Sequence, residues 1–152
     1  MIFPEHIFFE SRGLSLAEIL VTVAIIALVA AISVPFYRST TLNLDLNAAS
    51  RDLSSDLRLA QQLSVTTQIN HQVIFTIADN SYLIKNAGSG NIIKSQSIKP
   101  PISILSISGF STDTVAFNST GAAVESGFIT LINPNNRTST IEIKPSGYVK
   151  IQ

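Results

Sequence analysis

Nineteen consecutive uncharged residues, 19–37 (ILVTVAIIALVAAISVPFY), lie between Glu18 and Arg38, and they restrict this chain more than any other feature. The run matches the ~20 predominantly apolar residues that an α-helix needs to cross the hydrocarbon of a bilayer. Buried in a large protein the same run would look similar, but 152 residues make one domain of ordinary size, without a core wide enough to hide it. Composition carries the same bias. Charged residues are 13% and hydrophobic ones 45%, where a soluble domain averages about 25% charged residues.

The remaining inventory removes whole classes of function. Ten Lys and Arg cancel ten Asp and Glu, which argues against a strongly basic nucleic-acid binder and against an acidic tail. Without cysteine there is no disulfide framework, thiolate metal site or cysteine nucleophile, and His6 and His71 alone cannot build a multi-histidine centre. His71 opens a strand-like run with no nucleophile to serve. Asp79, Asp113, Glu125 and Glu142 are too scattered for a paired-carboxylate site or a calcium loop. Gly88, Ser89 and Gly90 lack the lysine and helix that follow a phosphate-binding loop. Arg137, Lys144 and Lys150, with Tyr148 as the aromatic neighbour and Glu142 opposing them, are too sparse for binding driven by counterion release. The expectation is a non-enzyme with no catalytic residue, metal or cofactor, and nucleic acid is not an expected partner.

Glu18 is the residue to explain, because a carboxylate near the start of a spanning helix is costly to bury unpaired and such residues are usually functional. A headgroup-level charge marking the start of the span is the simpler reading. Residues 1–13 (MIFPEHIFFESRG) carry Glu5 and Glu10 against Arg12, whereas a secretory signal wants a basic start. Val29 and Ala31 do sit where a signal peptidase would want small residues. Cutting after Ala31 would release a soluble β-domain binding module, and this alternative stays open.

Gly13, Leu14, Ser15, Leu16, Ala17 and Glu18 run straight into the apolar stretch, which Pro35 interrupts near its end. This constellation resembles the class III signal of type IV pilins and type II secretion pseudopilins: a leader ending in Gly, a hydrophobic first mature residue and Glu as the fifth. The leader departs from the pattern in being acidic. The resemblance implies that a prepilin peptidase cuts between Gly13 and Leu14, and that Leu14 becomes an N-methylated amino terminus. It also implies that Glu18 neutralises the Leu14 amine of a neighbouring subunit in an apolar filament core, where an unpaired charge would be costly and the pairing can set register. Pro35, which lacks an amide donor, permits a kink in the helix.

Helical spacing continues past the run with Leu42, Leu46, Ala49, Leu53, Leu57 and Ala60 on one face, which Leu59 and Leu63 widen, while Arg51, Asp52, Asp56 and Arg58 fall largely away from it. One helix over residues 14–66 would reach about 80 Å at ~1.5 Å per residue. From His71 the pattern turns to strands at 71–77, 81–85, 91–97, 102–107, 114–117, 128–132, 139–144 and 147–151, separated by turn-forming clusters, of which 86–91 (NAGSGN) is expected to be a mobile loop. Residues 71–152 can bury a core only if the amphipathic half-helix joins it.

Three segments extend the resemblance to the H-type pseudopilins of the GspH/FimT family: 51–66 (RDLSSDLRLAQQLSVT) leading into the Val73, Ile74, Phe75 strand, 115–121 (VAFNSTG), and 140–151 (TIEIKPSGYVKI). The fold it implies is α+β and pilin-like: a long N-terminal helix, transmembrane in its first half and amphipathic in its second, packed on an antiparallel β-sheet domain. The segments are a leader (1–13), a transmembrane and filament-core helix (14–37), the amphipathic half-helix (38–66) and a periplasmic β domain (67–152). Implied partners are sibling pseudopilins or pilins, the prepilin peptidase, an inner-membrane assembly platform and the membrane itself. The implied place is the bacterial inner membrane, crossed once, with the C-terminal domain in the periplasm. The implied role is that of a minor pseudopilin near the tip of a type II secretion pseudopilus, driving exoprotein export. A minor pilin of a type IV pilus, in assembly, motility or DNA uptake, is the alternative.

Overall fold

The computed structural model describes residues 15–152, with the backbone alone described for 33–39. The chain divides between Arg38 and Ser39 into two compact units. A single helix, α1 (Leu16–Thr67), contains the apolar run and the amphipathic stripe in one element. Within the second unit, Leu46, Leu53, Leu57 and Ala60 are buried, as their spacing of three and four residues requires of one helix face. Ser50, Ser54 and Ser64 are buried with them, and Ser50 and Ser64 turn their hydroxyls back onto the carbonyls of Leu46 and Ala60, so these two are buried without an unpaired group. The helix stops where Thr67 bonds back to the Leu63 carbonyl and Gln68 adopts φ 57°, a left-handed cap.

Eight strands follow: β1 (His71–Thr76), β2 (Ser81–Asn86), β3 (Ile92–Ser97), β4 (Ser103–Ser108), β5 (Thr114–Phe117), β6 (Gly127–Ile132), β7 (Thr138–Ile143) and β8 (Val149–Ile151). Each strand-like run in the sequence is a strand, displaced at its ends by two residues at most. They build two antiparallel four-stranded sheets, ordered β3-β2-β1-β5 and β4-β6-β7-β8, a division that the strand-like runs do not show. Alternation reports which face of a strand is apolar and is silent about its neighbour. β4 therefore leaves the first sheet unannounced, and β5 returns to pair with β1. Val73, Phe75, Ile84, Val115 and Phe117 from one sheet and Ile129, Leu131, Ile141 and Ile143 from the other meet the α1 stripe in one core.

Asn80, whose sequence context shows only a turn, secures the crossing between sheets. Its side-chain amide donates to the carbonyls of Ile98 and Ile102, and its side-chain oxygen accepts the Ile104 amide at 2.8 Å. The 86–91 turn, expected to be mobile, is tied down by Asn86, whose side-chain oxygen accepts the amides of Gly88 and Ser89 while its backbone bonds Gly90 and Asn91.

Candidate assembly surface

In the first unit, Ser15 starts the helix by accepting the Glu18 and Ile19 amides, which places Glu18 in the first turn. A carboxylate there is favoured by the positive end of the helix dipole. Beyond it every residue to Ile32 is exposed, including Ile25 at 55% and Ile26 at 67%. A helix apolar all round is stable only when something covers it, lipid or other helices. Among the described residues no helix is long and apolar enough to cross a membrane. The apolar run continues from Ile32 into residues 33–39, whose side chains are outside the description; the backbone stays helical through Pro35. Gly13 and Leu14 lie outside the described residues.

In the second unit several polar contacts seat α1 on the strands, among them those at Asp56, Arg58 and Gln61. Asp56, which helical spacing set away from the core, is buried at 6% exposure. Three residues from Leu53 and four from Ala60, it lies at the border of the stripe. Its charge is met there by Lys94 Nζ at 2.6 Å and by the Tyr82 hydroxyl at 2.8 Å. Burial first, then the hydrogen bond and charge of Asp56, with Asp52 adding, push the Tyr82 phenol far above the ordinary tyrosine range. Arg58 donates to the Val149 carbonyl, so it too faces the strands. Gln61 donates to the Gly121 carbonyl at 2.7 Å, where the turn after β5 meets the turn before β8. Gly147, with φ 80°, approaches so closely that a Cβ would collide with the Gly121 carbonyl oxygen and the Gln61 amide. Segments 115–121 and 140–151, singled out separately in the sequence, thus touch through one helix residue. Gln61 carried no signal of its own, because one polar residue beside an apolar stripe is ordinary.

His71 and Glu125 form no hydrogen bond with the Asp56, Lys94 and Tyr82 group. His71 is buried, with Nδ1 2.8 Å from the Ile69 carbonyl. Glu125 holds the Ser111 amide and hydroxyl, which keep its carboxyl below the usual range. Among the described residues no group of three His, Cys, Asp or Glu could hold a metal ion.

A helix whose second half packs its stripe on antiparallel sheets defines a pilin-like α+β fold, of the type IV pilin and GspH-like kind. Among solved structures the chain is similar to the type IV minor pilin FimU of Pseudomonas aeruginosa, at 12% identity and TM-score 0.60 over 72% of this chain and 90% of that one. It is equally similar to the minor pseudopilin EpsH from the Type 2 Secretion System of Vibrio cholerae, at 8% identity and TM-score 0.61 over 71% of this chain and 96% of that one. No family model and no curated protein sequence matches the chain.

Proposed function

We propose that the chain is a non-enzymatic minor pseudopilin, held in the inner membrane by the first half of α1 and joined through that helix to sibling subunits of a periplasmic filament. The carrying observation is the continuity of α1. One helix starts with Glu18 in its first turn, is apolar on every side to Ile32, and ends as the stripe that seats a β domain. An element of that kind couples a domain in water to an apolar medium. Prepilin peptidase would cut between Gly13 and Leu14, and the freed Leu14 amine would pair with Glu18 of a neighbour. Growth of the filament would then push or gate exoproteins, with this subunit near the tip. Likeness to EpsH supports the secretion reading, and likeness to FimU supports a minor pilin of a type IV pilus as the second. Release after Ala31 would instead sever α1 within its helical span.

Intact-mass measurement of membrane-extracted protein tests the reading: loss of thirteen residues and gain of one methyl is the expected result, and a mature start at Ile32 rejects it. Deleting the gene and scoring exoprotein release, motility and transformation side by side separates the two machines.

A further inference from the structure

Among the described residues strand β3 is bonded on one side only, by β2, and all six of its own residues are exposed. The register pairs Ser81 with Ser97, Tyr82 with Gln96, Leu83 with Ser95 and Ile84 with Lys94. Just beyond, the Ile98 amide donates to the Asn80 carbonyl at 2.9 Å, which fixes the phase of the ladder. Bonded and non-bonded positions alternate in an antiparallel pair, so Gln96 and Lys94 turn their backbone groups to β2. Ser95 and Ser97 turn theirs outward. The opposite edge of the same sheet is closed: Phe117 bridges Ala123, and the Val124 amide donates to the Ala116 carbonyl.

Open edges are normally guarded by an outward lysine or a proline. β3 has no proline, and its one lysine is drawn under the sheet to Asp56. What remains along the edge is neutral. At the end of β3 lies a groove of about 370 Å³ between α1 and the β3–β4 connector, with Asp45 and Asp52 on its helix wall and Gln96, Ser97 and Lys99 opposite. Asp45 and Asp52 are exposed and have no ion pair among the described residues, so the groove stays net negative beside Lys99.

We propose that the β3 edge is a docking surface for an extended polypeptide strand from a sibling subunit, one carrying a lysine or arginine that reaches Asp45 and Asp52. The backbone row at Ser95 and Ser97 selects a polypeptide, because only another strand offers amides and carbonyls at that repeat. The carboxylates select its charge. This contact rests on the proposed function, since it presumes siblings, but it lies in the second unit and is independent of Glu18 and the Leu14 amine.

The experiment uses the full-length chain co-expressed with tagged sibling subunits. Ser95→Pro removes an outward amide that the sheet does not use, Ser95→Ala keeps it, and Asp52→Lys reverses the groove charge. The expected result is that Ser95→Pro melts at the unmodified temperature yet lowers recovery with siblings by about tenfold, as loss of one strand hydrogen bond implies. Ser95→Ala should be recovered normally, Asp52→Lys should be depleted severalfold, and amide exchange at Ser95 and Ser97 should slow in the complex. Should Ser95→Pro fail to fold, Asp52→Lys and the exchange rates decide. Normal recovery of Asp52→Lys with unchanged exchange overturns the contact, whereas an unmodified chain that recovers no sibling overturns the proposed function and the contact with it.

Discussion

The Asp56 carboxylate, at the border of the buried stripe of α1, accepts the hydroxyl of Tyr82 on β2 at 2.8 Å. Lys94, on the next strand, holds the other carboxylate oxygen, so one acid joins the helix to two strands. Asp56→Ala would leave a buried phenol without its acceptor. The expected loss is about 2 kcal/mol, with little added for Lys94, whose side chain is 42% exposed and screened. Tyr82→Phe should cost about 1 kcal/mol. Urea unfolding of residues 39–152 measures both, and the double variant should lose about 1 kcal/mol less than the sum. Strict additivity would separate the two residues energetically.

The same pair sets an alkaline limit. Tyr82 has a folded pKa raised above its unfolded value of 10.0, because burial and Asp56 both disfavour the phenolate. Its contribution to stability is therefore fully present below pH 10 and is lost as pH rises above that value. Unfolding midpoints recorded between neutral pH and pH ~11 should fall more steeply for the unmodified chain than for Tyr82→Phe. Parallel curves would show that Tyr82 ionises alike in the folded and unfolded chain, so that burial and Asp56 do not hold the phenol neutral.

Gly147→Ala tests the meeting of the two C-terminal turns. A side chain there must tolerate φ 80° and displace the Gly121 carbonyl, and a strained backbone alone costs about 1 to 3 kcal/mol. The variant should lose at least that much in thermal or urea unfolding. Gly88→Ala is the control, since φ is not positive there and the added methyl meets only side-chain atoms at 3.3 Å. Equal losses at both positions would show that the close approach does not matter.

Glu18→Ala separates insertion from assembly. Removing the charge should leave membrane fractionation and peptidase cleavage intact, because a carboxylate only adds to the cost of insertion. If Glu18 pairs with a neighbour's Leu14 amine as proposed, crosslinking to sibling subunits should fail, since a buried amine without its partner costs about 3 to 5 kcal/mol. Undiminished crosslinks would reduce Glu18 to a headgroup-level charge.

Helix and strands were legible because each rests on a local period. Leu46, Leu53 and Leu57 recur at helical spacing and are all buried, and the alternation of Val73 and Phe75, or of Ile141 and Ile143, marks the inner faces of their strands. Of the proposed assembly residues, Glu18 was found from its place before an apolar run, and the structure sets it in the first turn of α1. Asp56 was misjudged because a helical wheel assigns a carboxylate at the stripe's border to solvent. The side chains that meet it stand 26 and 38 residues away.

By itself, then, the sequence determined the elements and their apolar faces, since steric preference and hydrophobic period act over a few residues. Tertiary structure alone decided that eight strands split into two sheets, that Asn80 stitches the crossing, that Asp56 finds Tyr82 and Lys94, and that Gly121 and Gly147 meet at Gln61. Those outcomes depend on which distant backbone or charge arrives to satisfy a group removed from water, and no local pattern records that arrival.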